Sequence, residues 1–294
     1  MTGRQRAARL FVGLSGYAYP EWRGAFYPES LPRARWLEYA SRIVPSIELN
    51  ATFYGLQTPA AYRRWAAAVP GSGFVFAIKG SRFITHNLRL SRPMPALANF
   101  FASGVLELGR TTGPFLWQLP PALGFDAERV EQFLCLLPRT TARAESLARH
   151  HDRRLERGRI RLRARARLRL RHAVEPRHPS FFCDAFYDLL RRHGCALVAA
   201  DTAGRYPMAL EATADFAYVR LHGATALYAG SYGDPALRAW ARRVRAWRRE
   251  HRDVYVYFDN DVGAAAPRDA LRLMRLLRIG AGASAQLRGQ RAPG

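Results

Sequence analysis

Short apolar runs recur along the chain at intervals wide enough to hold a helix between them. Eight segments have strand character: Leu10–Ser15, Ser46–Phe53, Gly73–Lys79, Pro114–Leu119, His172–Glu175, Ala196–Asp201, Ala217–His222 and Val254–Phe258. Several are almost unbroken apolar stretches, such as FVFAIK, CALVAAD and VYVYF. That pattern suits parallel strands buried on both faces. The intervening stretches read as amphipathic helices. Pro59–Val69 sets Tyr62, Trp65 and Val69 on one side, and Pro235–Arg249 repeats Leu237, Trp240, Val244 and Trp247 at helical steps. A last helix, Ala266–Leu277, follows the eighth strand.

Strands alternating with helices in this number predict the α/β class and a single TIM-like (β/α)8 barrel spanning 1–294, with its core at 11–277. A doubly wound open sheet is the alternative. Its phosphate signatures are missing: no GxGxxG follows the first strand and no GxxxxGK[ST] occurs. Residues 280–294 are expected to form a disordered tail.

One stretch breaks the pattern. From Arg161 to Arg171 arginine occupies every second position, with Leu or Ala between. As a strand this puts six arginines on one face, which no barrel interior accepts. A solvated insertion, a nucleic-acid-binding strip and a stretch read in the wrong frame of GC-rich DNA all fit the segment 155–171. A binding strip would interleave aromatic residues for base stacking, and none lies between His151 and His172.

That stretch also changes the meaning of the charge. The 294 residues carry 46 Lys+Arg against 23 Asp+Glu, a formal +23. Residues 153–171 alone hold ten arginines and one acid, and so supply +9 of it. Basic chains meet nucleic acid, anionic membranes or phosphorylated substrates, but GC-rich codons also favour arginine. Lys79 is the single lysine. The hydrophobic content of 49% excludes a disordered chain. No apolar run approaches the roughly 20 residues of a membrane span. The N-terminal arginines precede an apolar stretch broken by Gly13, Ser15 and Gly16, which reads as a first strand and not a leader. Cys135, Cys183 and Cys195 form no CxxC pair, which suits a reducing cytoplasm.

In a barrel, polar residues at the C-terminal ends of strands line one mouth. Almost every strand here ends in such residues: Ser15; Glu48 and Asn50; Lys79, with Arg82, Thr85 and His86 beyond; Trp117 and Gln118; Glu175, Arg177 and His178; Asp201; Arg220 and His222; Asp259, Asn260 and Asp261. Lys79, Arg177 and Arg220 place three cations at this mouth and favour a phosphate or carboxylate ligand. Salt bridges to Glu48, Glu175 and Asp201 are the purely structural alternative. A lone lysine also suits a general base or Schiff-base nucleophile. His178 and His222 with Glu48, Glu175, Asp201 and Asp261 could hold a divalent metal, although no HxH or HExxH spacing occurs. His86 and His178 fit acid/base work, and YAGSY (Tyr228–Tyr232) reads as a loop covering the mouth.

Taken in order, these motifs resemble the YecE-like family, domain of unknown function 72. The segments are VGLSGYAYPEWRGAFYP (Val12–Pro28), IELNATFYG (Ile47–Gly55), KGSRFITH (Lys79–His86), FLWQLPP (Phe115–Pro121), AVEPRHPSF (Ala173–Phe181), VAADTAG (Val198–Gly204), YVRLHG (Tyr218–Gly223), YAGSY and VYVYFDND (Val254–Asp261). The resemblance implies a TIM-like barrel and marks the same strand-end residues, but names no reaction. Gly80 stands where relatives tend to carry alanine and Asp259 where asparagine is usual. The arginine-rich run has no counterpart in them.

The leading expectation is an enzyme binding a small anionic or phosphorylated ligand at the C-terminal mouth. Glu48, Glu175, Asp201 and His178 would do acid/base work. Asn50, Lys79, His86, Gln118, Arg177, Arg220, His222, Asn260 and Asp261 would hold the ligand, with no metal or other cofactor. The alternatives are a metal-dependent phosphoesterase or nuclease, and a non-catalytic nucleic-acid-binding protein using the arginine run.

Overall fold

The computed structural model describes residues 7–71 and 73–278; the tail expected at 280–294 lies outside them. Eight parallel strands close into a barrel in chain order: β1 (Leu10–Ser15), β2 (Ser46–Leu49), β3 (Val75–Lys79), β4 (Thr112–Gln118), β5 (His172–Glu175), β6 (Ala196–Asp201), β7 (Phe216–Leu221) and β8 (Asp253–Phe258), which pairs back onto β1. Around them run α1 (Trp36–Ile43), α2 (Ala51–Tyr54), α3 (Pro59–Ala67), α4 (Met94–Ala102), α5 (Ala127–Leu136), α6 (Thr141–Ala148), α7 (Asp184–Arg192), α8 (Asp234–Arg249) and α9 (Ala265–Leu277). The predicted TIM-like barrel is the observed fold. The connection 202–215 between β6 and β7 carries no helix, so the alternation is incomplete there.

Local chemistry sets these boundaries. Thr58 caps α3 by accepting from the Ala61 N–H, with Pro59 at the first helical position. Along α8, Leu237, Trp240, Ala241, Val244 and Trp247 form the buried face. The second strand stops at Leu49 and does not reach Phe53 as its apolar run suggested. Asn50 turns the chain into α2, and the Thr52 hydroxyl bonds to the Leu49 and Lys79 carbonyls, which ties the turn to β3.

The barrel interior is filled by alternate strand residues. Alanines on β3, β5 and β6 (Ala77, Ala173, Ala196, Ala200) leave room for Tyr218, Tyr255 and Tyr257 from β7 and β8. A larger apolar layer lies between strands and helices. Gly80 belongs to that second layer: a Cβ there would sit 2.3 Å from the Trp117 ring, so glycine is what lets the indole pack on the β3 backbone.

The arginine run is an extended strap outside the barrel. It bridges to Ser103 through Arg161 and to Thr140 through Arg169, alongside α4 and α6. Arg161, Arg163, Arg165, Arg167 and Arg169 face outward, Arg171 turns in to Asp253 at the barrel floor, and Leu162, Ala164 and Leu168 pack against the core with Leu170 buried. Period-two alternation thus holds, with the charged face in solvent. Arg161 pairs with Glu107, Arg167 with Glu145, and Arg169 with Asp215. Among the described residues, no helix is long and apolar enough to cross a membrane.

Candidate functional site

Residues two apart on a strand share a face. The interior rows therefore end at the mouth in Ser15 (β1), Glu48 (β2), Lys79 (β3), Gln118 (β4), Glu175 (β5), Arg220 (β7) and Asp259 just past β8. Arg220 is the hub of this ring, with its side chain only 1% exposed. Its Nε and Nη2 donate to the two Glu48 oxygens at 3.2 and 2.8 Å, a two-pronged pair. Its Nη1 donates to Glu175 at 2.9 Å, and Nη2 also reaches Asp259 at 2.9 Å and the Ser15 hydroxyl at 3.0 Å.

Neighbours satisfy the remaining lone pairs. Glu48 accepts from the Tyr218 hydroxyl at 2.5 Å and the Ser15 hydroxyl at 2.6 Å. Glu175 accepts from the Gln118 amide at 2.8 Å and from Arg177 Nε at 3.2 Å. His222 sits behind Arg220, with Nδ1 2.8 Å from Asp259. Burial, the largest single influence, raises the Glu175 and Asp259 pKa values, but Arg220 together with His222 and, for Glu175, Arg177 or, for Asp259, Lys79 holds both carboxyls below their ordinary range. For His222, burial and Arg220 push the pKa down, yet Asp259 and Glu175 raise it overall.

Beside this hub, in which three carboxylates share one guanidinium, stand cations with unspent capacity. Lys79 is buried, its ammonium 4.3 Å from the centre of the Phe53 ring, and it makes no hydrogen bond or ion pair among the described residues. Burial, then Arg220, brings its pKa down to about 8. Arg177 lies over the Tyr206 ring at 4.8 Å, and its buried Nη2 has no partner. His86 stands edge-on to Phe53, with Nδ1 2.8 Å from the Thr85 hydroxyl. Burial, Lys79 and Arg177 lower its pKa to about 4, so it is neutral at pH 7. Asp261 is its counterpart: burial and then Asp259 push its pKa up to about 8, and one buried oxygen is unpartnered. Asn50 donates to the Ser15 hydroxyl at 3.1 Å and leaves its own oxygen unpartnered. A cavity of about 180 Å3 opens beside Glu48 and Asn50, walled by Tyr17, Tyr19 and Trp65.

Three expected site residues lie off this ring. Asp201 follows the inward Ala200, so it points away from the interior; one of its oxygens accepts from the Ala203 N–H at 3.3 Å. Asn260, next to the inward Asp259, donates to Asp269 of α9 and to the Gly230 carbonyl, both at 2.9 Å. His178 caps the turn Pro179–Phe181, where its Nδ1 accepts from the Ser180 N–H. Asp259 and Tyr218 belong to the hub, although Asp259 was expected at the mouth without a role and Tyr218 was not among the expected site residues. The signal for both was parity, since each is in step with an inward neighbour on its own strand. Among the described residues no three of His, Cys, Asp and Glu are grouped so as to hold a metal ion.

A closed eight-stranded barrel with a buried ion cluster at its C-terminal mouth defines a TIM-like barrel protein. The chain belongs to DUF72, a family of proteins of unknown function, whose model matches residues 11–292. It is 22% identical over 299 residues to the UPF0759 protein YunF of Bacillus subtilis (strain 168), covering 92% of this chain and 95% of that one. Its fold is similar to that of a DUF72 family protein from Thermotoga maritima MSB8, with a TM-score of 0.71 at 23% identity over 92% of this chain and 99% of that one. A DUF72 family protein from Enterococcus faecalis V583 aligns with a TM-score of 0.68 at 17% identity, covering 92% of this chain and 96% of the other.

Proposed function

We propose that this chain is a barrel enzyme that binds a small phosphate- or carboxylate-bearing molecule between Lys79 and Arg177 and moves a proton on it. The observation carrying this reading is the pair of cationic groups with nothing to bind: the Lys79 ammonium and Arg177 Nη2. A buried donor left unpaired costs free energy that an anion would recover. Neutral His86 flanks the same space and orients the molecule through a hydrogen bond, while Asn50 lines the adjoining cavity.

Proton transfer is most effective when the donor or acceptor titrates near the working pH. Lys79 and Asp261, each brought to about 8 from opposite directions, meet that condition. Glu175, held anionic by Arg220, acts as a positioning residue, and Glu48 shares that role through the same guanidinium. The metal-dependent alternative has less support, because Glu48, Glu175 and Asp259 are already spent on Arg220. The nucleic-acid alternative is weakened in the same way, since Arg161, Arg167, Arg169 and Arg171 of the strap are committed to carboxylates. Three unpaired cysteines fit a reducing compartment.

Calorimetric titration with phosphate and with acetate tests this reading. A hydrogen bond to a charged group contributes roughly 1.5–3 kcal/mol, so Lys79→Met and Arg177→Met should each weaken binding about tenfold or more, Lys79→Met at an unchanged melting temperature and Arg177→Met at a lower one, because Glu175 loses a partner there. Wild-type affinity in both variants would sink the reading.

A further inference from the structure

The rim of the mouth differs from the rest of the surface. The large apolar side chains most exposed among the described residues are Tyr54, Phe83, Met94, Met208, Tyr228 and Val262. Tyr54 follows β2, Phe83 follows β3, Met208 follows β6, Tyr228 follows β7 and Val262 follows β8, so five of the six stand on connections leaving the C-terminal strand ends. Apolar side chains gathered at one end mark a surface that meets something apolar.

This rim is continuous with Lys79 and Arg177. Tyr54 packs edge-on against Phe53 at 5.2 Å, and Phe53 lies beneath Lys79. Across the mouth, Tyr206 lies beneath Arg177, and Tyr228 packs 5.7 Å from His222 while its hydroxyl helps raise the Arg177 pKa. Each cation is thus backed by one aromatic ring, with a second, exposed ring beside it. Tyr228 has a φ of +67°, the left-handed region that a bulky residue rarely adopts. The chain nonetheless keeps a tyrosine there, its ring 40% exposed over a charged pit. Strain retained at a binding site generally marks a side chain held where a ligand needs it.

We infer that the molecule taken at this mouth is an aromatic anion: its phosphate or carboxylate lies between Lys79 and Arg177, and its ring lies between Tyr54 and Tyr228. This rests on the anion site proposed above and adds the part of the substrate that the cations do not specify. Ring stacking against tyrosine supplies the extra affinity.

The test compares matched ligands by calorimetry: phenyl phosphate against methyl phosphate, and benzoate against acetate. In the wild type each aromatic member should bind at least about tenfold more tightly than its ring-less twin, since stacking of this kind is worth on the order of 1–3 kcal/mol. Which aromatic member binds more tightly tells a phosphate from a carboxylate substrate. Tyr54→Ser should cut the aromatic preference to threefold or less (~) while the affinity for methyl phosphate stays near wild type. Tyr228→Gly should also cut that preference, with an equal or higher melting temperature, because glycine adopts the +67° backbone freely. Equal binding of aromatic and ring-less anions by the wild type overturns the inference and leaves the anion site standing. An unchanged aromatic preference in both variants overturns it too. If none of the four ligands binds, the anion site itself fails.

Discussion

The barrel carries an arginine–carboxylate network at each end, and the two differ in how far water reaches them. At the mouth, Arg220, Glu48, Glu175 and Asp259 have side-chain exposures of 1, 0, 0 and 7%. At the floor, Arg171 pairs with Asp253 at 2.7 Å and Asp215 at 3.4 Å, and Arg9 and Arg169 join from the rim. There the exposures of Arg171, Asp215, Arg9 and Arg169 are 18, 44, 50 and 66%. The floor also opens into the larger cavity, about 580 Å3. Asp253 and Asp259 stand on one interior row of β8 and its extension, six residues apart and 5 and 7% exposed, yet only the second has partners that are all sealed from solvent as well. Burial, and not the number of arginines, separates a network that fixes the site from one that closes the base of the barrel.

Removing the hub of each network breaks this comparison most sharply. Arg220→Met leaves three buried carboxylates without their cation and should cost about 3–5 kcal/mol or prevent folding, read by urea unfolding. Arg171→Met strips a half-buried pair and should cost about 1–3 kcal/mol in the same assay. Comparable losses at the two ends would remove the distinction.

Smaller effects sharpen it through pH. The Asp261 carboxyl titrates near 8 when folded and close to its ordinary 3.8 when unfolded. Between those values the folded chain holds a proton that the unfolded chain has lost, so this residue makes stability fall as pH rises. Asp261→Asn should flatten that decline and raise the melting temperature at pH 8 relative to wild type. Glu175 and Asp259 act oppositely: their depressed pKa values add stability above about pH 4 that is lost on further acidification. Smallest of all, Arg163→Ser with Arg165→Ser, on the solvated face of the strap, should shift stability by under about 0.5 kcal/mol. Leu170→Ala on its inner face should cost about 2–5 kcal/mol.

Most of the barrel was legible because buried parallel strands leave uninterrupted apolar runs, as FVFAIK does at β3. The overrun at β2 arose because Ala51, Thr52 and Phe53 continue the apolar pattern while Thr52 spends its hydroxyl on a turn. At the site, strand-end position selected Glu48, Lys79, Gln118, Glu175, Arg177, Arg220 and His222, which lie at one mouth of the barrel. The same rule also drew in Asp201, Asn260 and His178, each one residue out of step with an inward side chain. Period-two parity decides these cases: Ala200, Asp259 and Arg177 face inward, so the residue after each faces away. The strap was legible in its alternation but not in its destination, because a strand-like arginine face is acceptable only where the other side packs on helices.

The central claim is that Lys79 is a buried ammonium awaiting an anion, and its being the single lysine makes that directly measurable. Lysine labelled with 13C at Cε gives one side-chain resonance, which can be followed by NMR through a pH titration with and without phosphate. A midpoint near 8 that moves upward when phosphate is added is the predicted result. A midpoint at the ordinary 10.5 that phosphate does not move would contradict it.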